Sequence, residues 1–515
     1  MKRFAGWICL LLAAMMLTGC GKKQDGEETK ASPVSLTALQ YEIDNIAMDF
    51  SSMAFFRRIE EQTGVHVDFN EVKDSVWNSS VDLAFSRGKM PDLILRGSLD
   101  VEEYGVTRHL LVPLDEYMDK GLLPNYTRRM DEAGLREQMT ASDGHIYSLG
   151  FLISQGVNTN GHFFINKTWL DKLGLEVPKT LEELTETLTK FRSSDPNSNG
   201  QRDEIPMEFT FDDNITGIYN LFSFFGLPLN EDYVYVDEAG KIRFAPEEDA
   251  FFETLEWLHT LYRGGLLDID FISQGSSIWA EKVNEGNTGM FSYWRLGNTA
   301  LTPAAAGAYQ VMVPVAAEGR KACLPRHMDI IEFGAALTTD NRDIEASLRW
   351  LDAQFETENM LVSQNGPVGD TLKKREDGRY EVAYVPPENE LYQSVPVICG
   401  QFFAPAEYYS SVYVPAEHRL EKAAYCALYE KAGVLEKTSW KLLTTVAPKT
   451  TDEAAETRRL KARLKSLTDG AIVSAVTQGI TPEGREEFLR RLREGGSEDY
   501  VRVYQQIYDR WRGGK

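Results

Sequence analysis

Between residues 34 and 95, short apolar runs alternate with helical repeats, and this alternation restricts what the chain can fold into more than any other feature. Residues 34–39 read as a strand and 53–62 as a helix, and after the Gly64 stop Val65, Val67 and Phe69 alternate with His66 and Asp68 as a strand does. A further helix, 75–86, leads through Gly88 and Pro91 into Asp92-Leu93-Ile94-Leu95, a short apolar strand of the kind buried in a parallel sheet. Strand, helix and strand at this spacing predict βαβ units, and so an α/β fold. Ligands of open α/β sheets bind beyond the carboxyl ends of the strands, which makes the loops after Phe69 and Leu95 the expected edges of a cleft.

The pattern continues further along. Residues 143–149 look like a turn feeding a strand, and Phe163-Phe164-Ile165 a second strand stopped by Asn166. Asn166 can cap a helix that Gly174 ends, and Thr180-Leu181-Glu182-Glu183 is a capping box. Leu181, Leu184, Leu188 and Phe191 recur at helical spacing as a core-facing stripe. Further helices are expected at 215–225, 247–262, 344–355, 416–431, 452–467, 467–478 (with a break at Asp469-Gly470), 484–493 and 498–511. Strands are expected at 233–244 (a hairpin), 288–293 and 311–315.

The address is written at the amino end. Lys2 and Arg3, an apolar run over 4–16 and Leu17-Thr18-Gly19-Cys20 resemble a bacterial lipoprotein signal, and the run is too short to cross a bilayer as a helix. The lipobox implies cleavage at 1–19, lipidation of Cys20 by thioether and acyl (palmitate-type) chains, and a flexible tether over 20–33. The expected location is the outer face of the cell membrane. A net charge of -23 over 515 residues excludes nucleic acid and anionic lipid as partners, leaving Cys20 as the membrane contact. Beyond the signal only Cys323, Cys399 and Cys426 remain, too few for a disulfide framework, although one pair is open to them.

The loop Asp195-Pro196-Asn197-Ser198-Asn199-Gly200-Gln201-Arg202-Asp203-Glu204-Ile205-Pro206 carries the most explicit chemistry. Oxygen-bearing side chains stand at positions 1, 3, 5, 9 and 10, with Gly200 at position 6 for the turn. That spacing suits Ca²⁺, a hard cation taking six to eight oxygens. Position 12, where an EF-hand needs a bidentate Glu, is Pro206. The expected ligands are therefore Asp195, Asn197, Asn199, Asp203 and Glu204 with the carbonyl of Gln201; the plainer alternative is a polar, self-bonded turn.

Enzyme signatures are absent: no Gly-x-Ser-x-Gly elbow, His-Glu-x-x-His helix, Cys-x-x-Cys, Gly-x-Gly-x-x-Gly or phosphate loop occurs. The seven histidines show no metal spacing; His145 and His162 flank the expected cleft and read as surface or core residues. A glycosidase carboxylate pair is defined by separation in space, so its sequence cannot reveal it.

Residues 163–175 (Phe-Phe-Ile-Asn-Lys-Thr-Trp-Leu-Asp-Lys-Leu-Gly-Leu) followed by Pro178-Lys179-Thr180-Leu181-Glu182-Glu183-Leu184 resemble the family 1 extracellular solute-binding lipoproteins, in their long LplA-type branch. Thr63-Gly64-Val65-His66-Val67, Met90-Pro91-Asp92-Leu93, residues 143–147, Gly286 to Phe291 with Trp294, and the closing 500–511 match in the same order. The resemblance implies a two-lobed periplasmic-binding fold of type II, each lobe a mostly parallel sheet flanked by helices, with a helix-rich C-terminal part. It implies a first lobe of 34–150 plus about 325–360 and a second of 151–320 plus about 361–515. It implies a monomer that captures a carbohydrate, an oligosaccharide given the branch's length, and hands it to ABC permease subunits. In that branch a loop like 195–206 binds structural calcium. A ligand-presenting sensor and a glycan-acting enzyme are the rival classes; the expectation is a binder.

Sugar rings stack on aromatics while polar groups bond the hydroxyl rim. The resemblance puts a cleft aromatic at Trp294, after the family's Gly-Met-Phe segment, and the other candidates are Tyr147, Arg295, Asp92, Trp77, Trp279, Phe403 and Tyr408. Arg295 is suited to vicinal hydroxyls or a uronate carboxylate.

Overall fold

In the computed structural model, residues 34–513 are described apart from 45–47, 87, 154–158, 160, 212, 298–299, 327–330, 385–387, 415–416, 440–442, 445–446 and 448. The signal, Cys20 and the tether lie outside the described residues. Among the described residues no helix is long and apolar enough to cross a membrane.

Ten strands build two sheets: β1 (Val34–Glu42), β2 (Val65–Lys73), β3 (Leu93–Leu95), β4 (Leu149–Ile153), β5 (His162–Asn166), β6 (Ile205–Met207), β7 (Thr288–Tyr293), β8 (Tyr309–Met312), β9 (Glu332–Leu337) and β10 (Phe403–Ala404). The first sheet has the order β10-β4-β9-β3-β1-β2 and the second β8-β5-β7-β6. β1 runs parallel to β2 in register Val34↔Val65 and parallel to β3, as the opening βαβ pattern predicts. Each sheet carries one reversed strand, β9 in the first and β5 in the second, and the rest run one way. Both reversed strands are reached by a connection from the other sheet.

Local chemistry explains the elements. The helix Ala54–Thr63 ends on Gly64, whose φ of 68° closes the left-handed cap and releases the chain into β2. Asn166 accepts the Trp169 N–H at 3.0 Å and starts the helix Lys167–Leu173. Thr180 accepts the Glu183 N–H at 3.1 Å, while the Glu183 carboxylate takes the Lys179 N–H at 2.7 Å, a capping box displaced by one residue.

Three expectations need correction. β2 continues to Lys73, so Phe69 is mid-strand, packed on Phe56 and Trp350, and no loop follows it directly. The break at Asp469-Gly470 does not occur, since Thr451–Gln478 is one helix. Asp469 accepts hydrogen bonds from Tyr219 at 2.9 Å, from Tyr233 and from Lys465 at 2.7 Å, so tertiary partners hold a pair that local propensity would break. Residues 361–414, expected in the second lobe, pack in the first core: Leu361, Val362, Phe403 and Tyr413 lie with Leu36, Leu93 and Leu149. The reason is pairing, because β10 lies alongside β4 with Phe403 opposite Leu152.

The second core gathers Phe163, Leu188, Phe222, Phe251 and Met290 with Tyr500 and Tyr504 of the closing helix. The chain passes between the two bodies after β4, after β8, and again between Val414 and the helix Glu417–Ala432. They also touch where Arg458 pairs with Asp100 at 2.5 Å. Cys323, Cys399 and Cys426 form no disulfide, so the open pairing is not used.

Candidate functional site

At the carboxyl end of β7, Tyr293 pairs with His162, which opens β5, and Trp294 and Arg295 follow half-buried. His162 is fully buried, and its Nδ1–H donates to the Trp294 carbonyl at 3.0 Å. Nε2 is then the acceptor, facing the Cys426 thiol at 3.4 Å. Burial above all, with the Lys422 charge behind it, pushes the imidazole down to about 3, so it stays neutral in one tautomer. His162 therefore positions the backbone that carries Trp294. Lys422 comes from the helix Glu417–Ala432 and sets its Nζ 3.8 Å from the centre of the Trp294 ring.

On the first sheet, Arg96 and Tyr41 stand at the carboxyl ends of strands. Arg96 follows β3 with φ of 59°, donates to the Phe333 carbonyl at 2.7 Å and lies 3.5 Å over the Phe151 ring. Tyr41, at the carboxyl end of β1, meets Trp77 edge-on at 5.6 Å. The signal that could have found Arg96 was its place, one step past a run read as a buried strand.

Most of the other candidates are structural. Trp77 is buried, its Nε1 donates to the Ser98 carbonyl at 2.6 Å, and a Cβ at Gly97 would stand 2.4 Å from its ring. Trp279 is fully buried behind β7, against Phe291 and Tyr293. Tyr147 is buried over Gly105, with its hydroxyl donating to Asp143 at 2.7 Å. Phe403 is core, edge-on to Tyr126. Tyr408 accepts from Arg129 at 3.0 Å and pairs with Thr357. Asp92 stands before β3, at the amino end, and its carboxylate is filled by Thr37 and Arg342. In each case an aromatic or acid at an element's end is consumed by packing that spacing cannot reveal. Trp294 and Arg295 are brought together; the others are not brought to them.

The loop 195–206 joins the helix Leu181–Ser193 to β6. Asp195 has φ of 38°, Ser198 61° and Gly200 75°, curling the chain around its own oxygens. Asp195 accepts the N–H groups of Asn199 and Gly200, each at 3.2 Å, and Asn199 accepts that of Gln201 at 2.7 Å. Asn197 and Asn199 turn their amide nitrogens to Asp203 at 3.2 and 2.9 Å, and a half-turn of each amide presents oxygen instead. Among the described residues no three His, Cys, Asp or Glu side chains converge as a metal cluster; the loop mixes acids with amides. The decisive observation is Glu204: it is 3% exposed and neither carboxylate oxygen has a hydrogen-bond partner. Burial pushes its carboxyl up, with Asp203 and Asp195 adding to the effect. A buried acid left unpartnered beside two further acids fits a cation-binding loop.

Just past β6, Glu208 is fully buried and accepts from Gln274 at 2.6 Å, while Lys282 donates to Asp268 at 2.5 Å and to Gln274 at 2.8 Å. Burial first, then Asp268, pushes the Glu208 carboxyl up to about 10, so Glu208 keeps its proton and Asp268 is ionised. A raised folded value gives stability that is full below about pH 4.5 and declines as pH rises towards 10. Glu208→Gln, which keeps shape and removes the titration, is expected to raise the thermal midpoint at pH 8 by a few degrees and flatten its pH dependence. Calorimetric scans at pH 5 and pH 8 check this; equal slopes for both proteins would contradict it.

Residues 30–360 match the profile of the family described as bacterial extracellular solute-binding protein. The chain belongs to that family. Within it, the chain is similar to the fructooligosaccharide ABC transporter substrate-binding protein FusA of Streptococcus pneumoniae, 29% identical over 333 residues, 62% of this chain and 61% of FusA. It is similar also to lipoprotein LipO of Bacillus subtilis, 25% identical over 297 residues, 55% of each chain. The aligned stretches thus span about three fifths of FusA and about half of LipO. The structure of S. pneumoniae FusA in complex with kestose superposes with a TM-score of 0.82 at 22% identity, over 93% of this chain and 100% of that one. A FusA EF-hand mutant in complex with fructo-nystose superposes equally, with a TM-score of 0.82. These superpositions agree with the two-sheet fold of the solute-binding family.

Proposed function

We propose that this chain is the substrate-binding lipoprotein of an ABC importer: it captures an oligosaccharide between its two bodies and delivers it to permease subunits at the outer face of the membrane. The observation that carries the reading is Trp294, a half-buried indole held at the carboxyl end of β7 by His162, where open α/β sheets take their ligands. An indole face is the complement of a sugar's CH face, and Arg295 beside it supplies donors for the hydroxyl rim. FusA is named for a fructooligosaccharide, which supports the substrate class. The first body comprises β1 to β4, β9 and β10, the second the rest, and the three connections between them serve as the hinge for closure over ligand. Lipid on Cys20 is the anchor, a reading supported by LipO's being a lipoprotein. The chain binds its ligand and does not turn it over.

Calcium is part of the proposal. Asp195, Asn197, Asn199, Asp203 and Glu204 with the Gln201 carbonyl would hold it, and an EF-hand in FusA supports this. When bound it supplies a fixed double charge that neutralises the loop's acids.

Titration calorimetry with a panel of oligosaccharides is expected to give stoichiometric binding without product, and Trp294→Ala is expected to weaken it about 10- to 100-fold while the midpoint of the free protein moves by less than 2 °C. Unchanged affinity in the variant would remove Trp294 from the site, and released sugar would make the chain an enzyme.

A further inference from the structure

Trp294 is the first residue beyond β7, and residues 294–297 leave the sheet as bends and turns. A ring that stacks on a ligand has to be held in one pose beforehand, because each side chain frozen on binding costs affinity. Two consecutive residues of the helix Glu417–Ala432 reach this segment. Glu421 accepts the Gly297 N–H at 3.0 Å through one carboxylate oxygen and the Tyr425 hydroxyl through the other. Lys422 sets its ammonium 3.8 Å from the centre of the indole. Further along the helix, Tyr425 meets Phe164 edge-on at 5.4 Å and Cys426 faces His162 at 3.4 Å. The Tyr429 hydroxyl accepts the Phe163 N–H and donates to the Met312 carbonyl, each at 2.8 Å. Residues 421, 422, 425, 426 and 429 thus share one side of the helix, the side turned to β5 and the end of β7. Ala423, Ala424, Ala427 and Leu428 on the other side are exposed. Lys422 therefore comes to the indole from the packed side of the helix, and the ring face it covers is the one turned towards that helix.

We infer that Lys422 and Glu421 are positioning residues for Trp294: the ammonium clamps the indole from the helix side, the carboxylate pins Gly297, and a saccharide stacks on the opposite face of the ring alone. This rests on the carbohydrate reading above and deepens it, since the stacking becomes one-sided and the residues that prepare it lie more than a hundred positions away in sequence. An ammonium over an indole face is attracted by the ring's quadrupole, the more so when part of its water is removed. Both contacts are already made in the free protein, so the ligand meets a ring whose ordering has been completed. The opposite arrangement, with the ammonium on the face that the sugar needs, predicts that removing the charge tightens binding, so one variant separates the two.

The probes are kestose, fructo-nystose and an oligogalacturonate, titrated calorimetrically into the full-length protein at pH 6. Burial brings the Lys422 amine down to about 7, so at pH 6 it is an ammonium. With the probe that wild type binds most tightly, Lys422→Met, which keeps an unbranched stem and removes the charge, is expected to weaken binding about 3- to 10-fold. Glu421→Ala is expected to weaken it about 2- to 5-fold. Lys422→Arg, which keeps a cation over the ring, is expected to recover most of the loss. A double-mutant cycle separates positioning from a general structural role: in the Trp294→Ala background neither change should lower affinity further, because no ring remains to be held. Circular dichroism and the thermal midpoint of each variant establish that it is folded. Tighter binding by Lys422→Met puts the ammonium on the ligand's own face and overturns the clamp. Losses of equal size with and without Trp294, or no loss at all, overturn it too and leave the carbohydrate reading standing. Binding of none of the three probes to wild type overturns the carbohydrate reading and the clamp together.

Discussion

Calcium added to metal-free protein is expected to raise the thermal midpoint by about 8–16 °C. The magnitude follows from linkage: a ligand at about 1,000 times its dissociation constant contributes about 4 kcal/mol, and about 1 kcal/mol moves the midpoint of a domain this size by about 2–4 °C. The sharper form concerns Glu204, whose two buried oxygens have no partner. Without metal, an unpartnered buried carboxylate destabilises the loop, and Glu204→Gln relieves it of charge; with metal, the same carboxylate is a ligand and its loss weakens the site. The two proteins should therefore change places, the variant melting higher in chelator and lower in calcium. Scanning calorimetry of both, with chelator and with millimolar calcium, measures this. If the order is the same in both buffers, Glu204 holds no cation.

Asp92→Ala is expected to lower the midpoint by roughly 6–12 °C, from about 3 kcal/mol lost. Asp92 is 2% exposed and holds together three segments: it accepts from the Thr37 N–H at 2.7 Å, the Thr37 hydroxyl at 2.8 Å, the Arg342 N–H at 3.0 Å and the Arg342 guanidinium at 2.7 Å. Removing the carboxylate strands two backbone donors where β1, β3 and the start of the helix Ile344–Gln354 converge. Burial works to raise the carboxyl, but the bonds from Arg342 and Thr37 outweigh it and hold it at about 2. A depressed folded value means stability that is present above about pH 4 and is lost as pH falls towards 2, so the wild type should show an acid transition that the variant lacks. Arg342→Met should be milder, because the Arg342 side chain is 62% exposed and water can replace it. Denaturant unfolding at pH 7 and at pH 3 checks both; an Asp92→Ala loss below about 1 kcal/mol would contradict the account.

Several residues show why the site was harder to read than the fold. Periodicity reports which face of an element is apolar, so the strands at 65, 93, 163 and 288 and the capped helices at 167 and 181 were legible from local patterns alone. It does not report which sheet a strand joins. Phe403 reads as a cleft aromatic until β10 is seen beside β4, and residues 361–414 follow it into the first core. Likewise Trp77, Trp279 and Tyr147 have the composition of a sugar site and the surroundings of a core. Arg96 and Lys422 are illegible for the opposite reason: a long cation carries no periodic signal, and Lys422 lies more than a hundred residues from Trp294 in sequence.

By itself, the sequence determined the fold class, the order of the βαβ units, the spacing of the oxygen-bearing loop at Asp195, and the family to which the order of motifs belongs. Each of these depends on neighbours a few residues apart, where backbone geometry fixes what spacing means. The tertiary structure alone decided that Asp92 joins Thr37 to Arg342, that Glu204 is buried without a partner, and that Lys422 lies over the Trp294 ring. These are statements about solvent exclusion and charge proximity between segments brought together only when two cores form, and no local pattern encodes them.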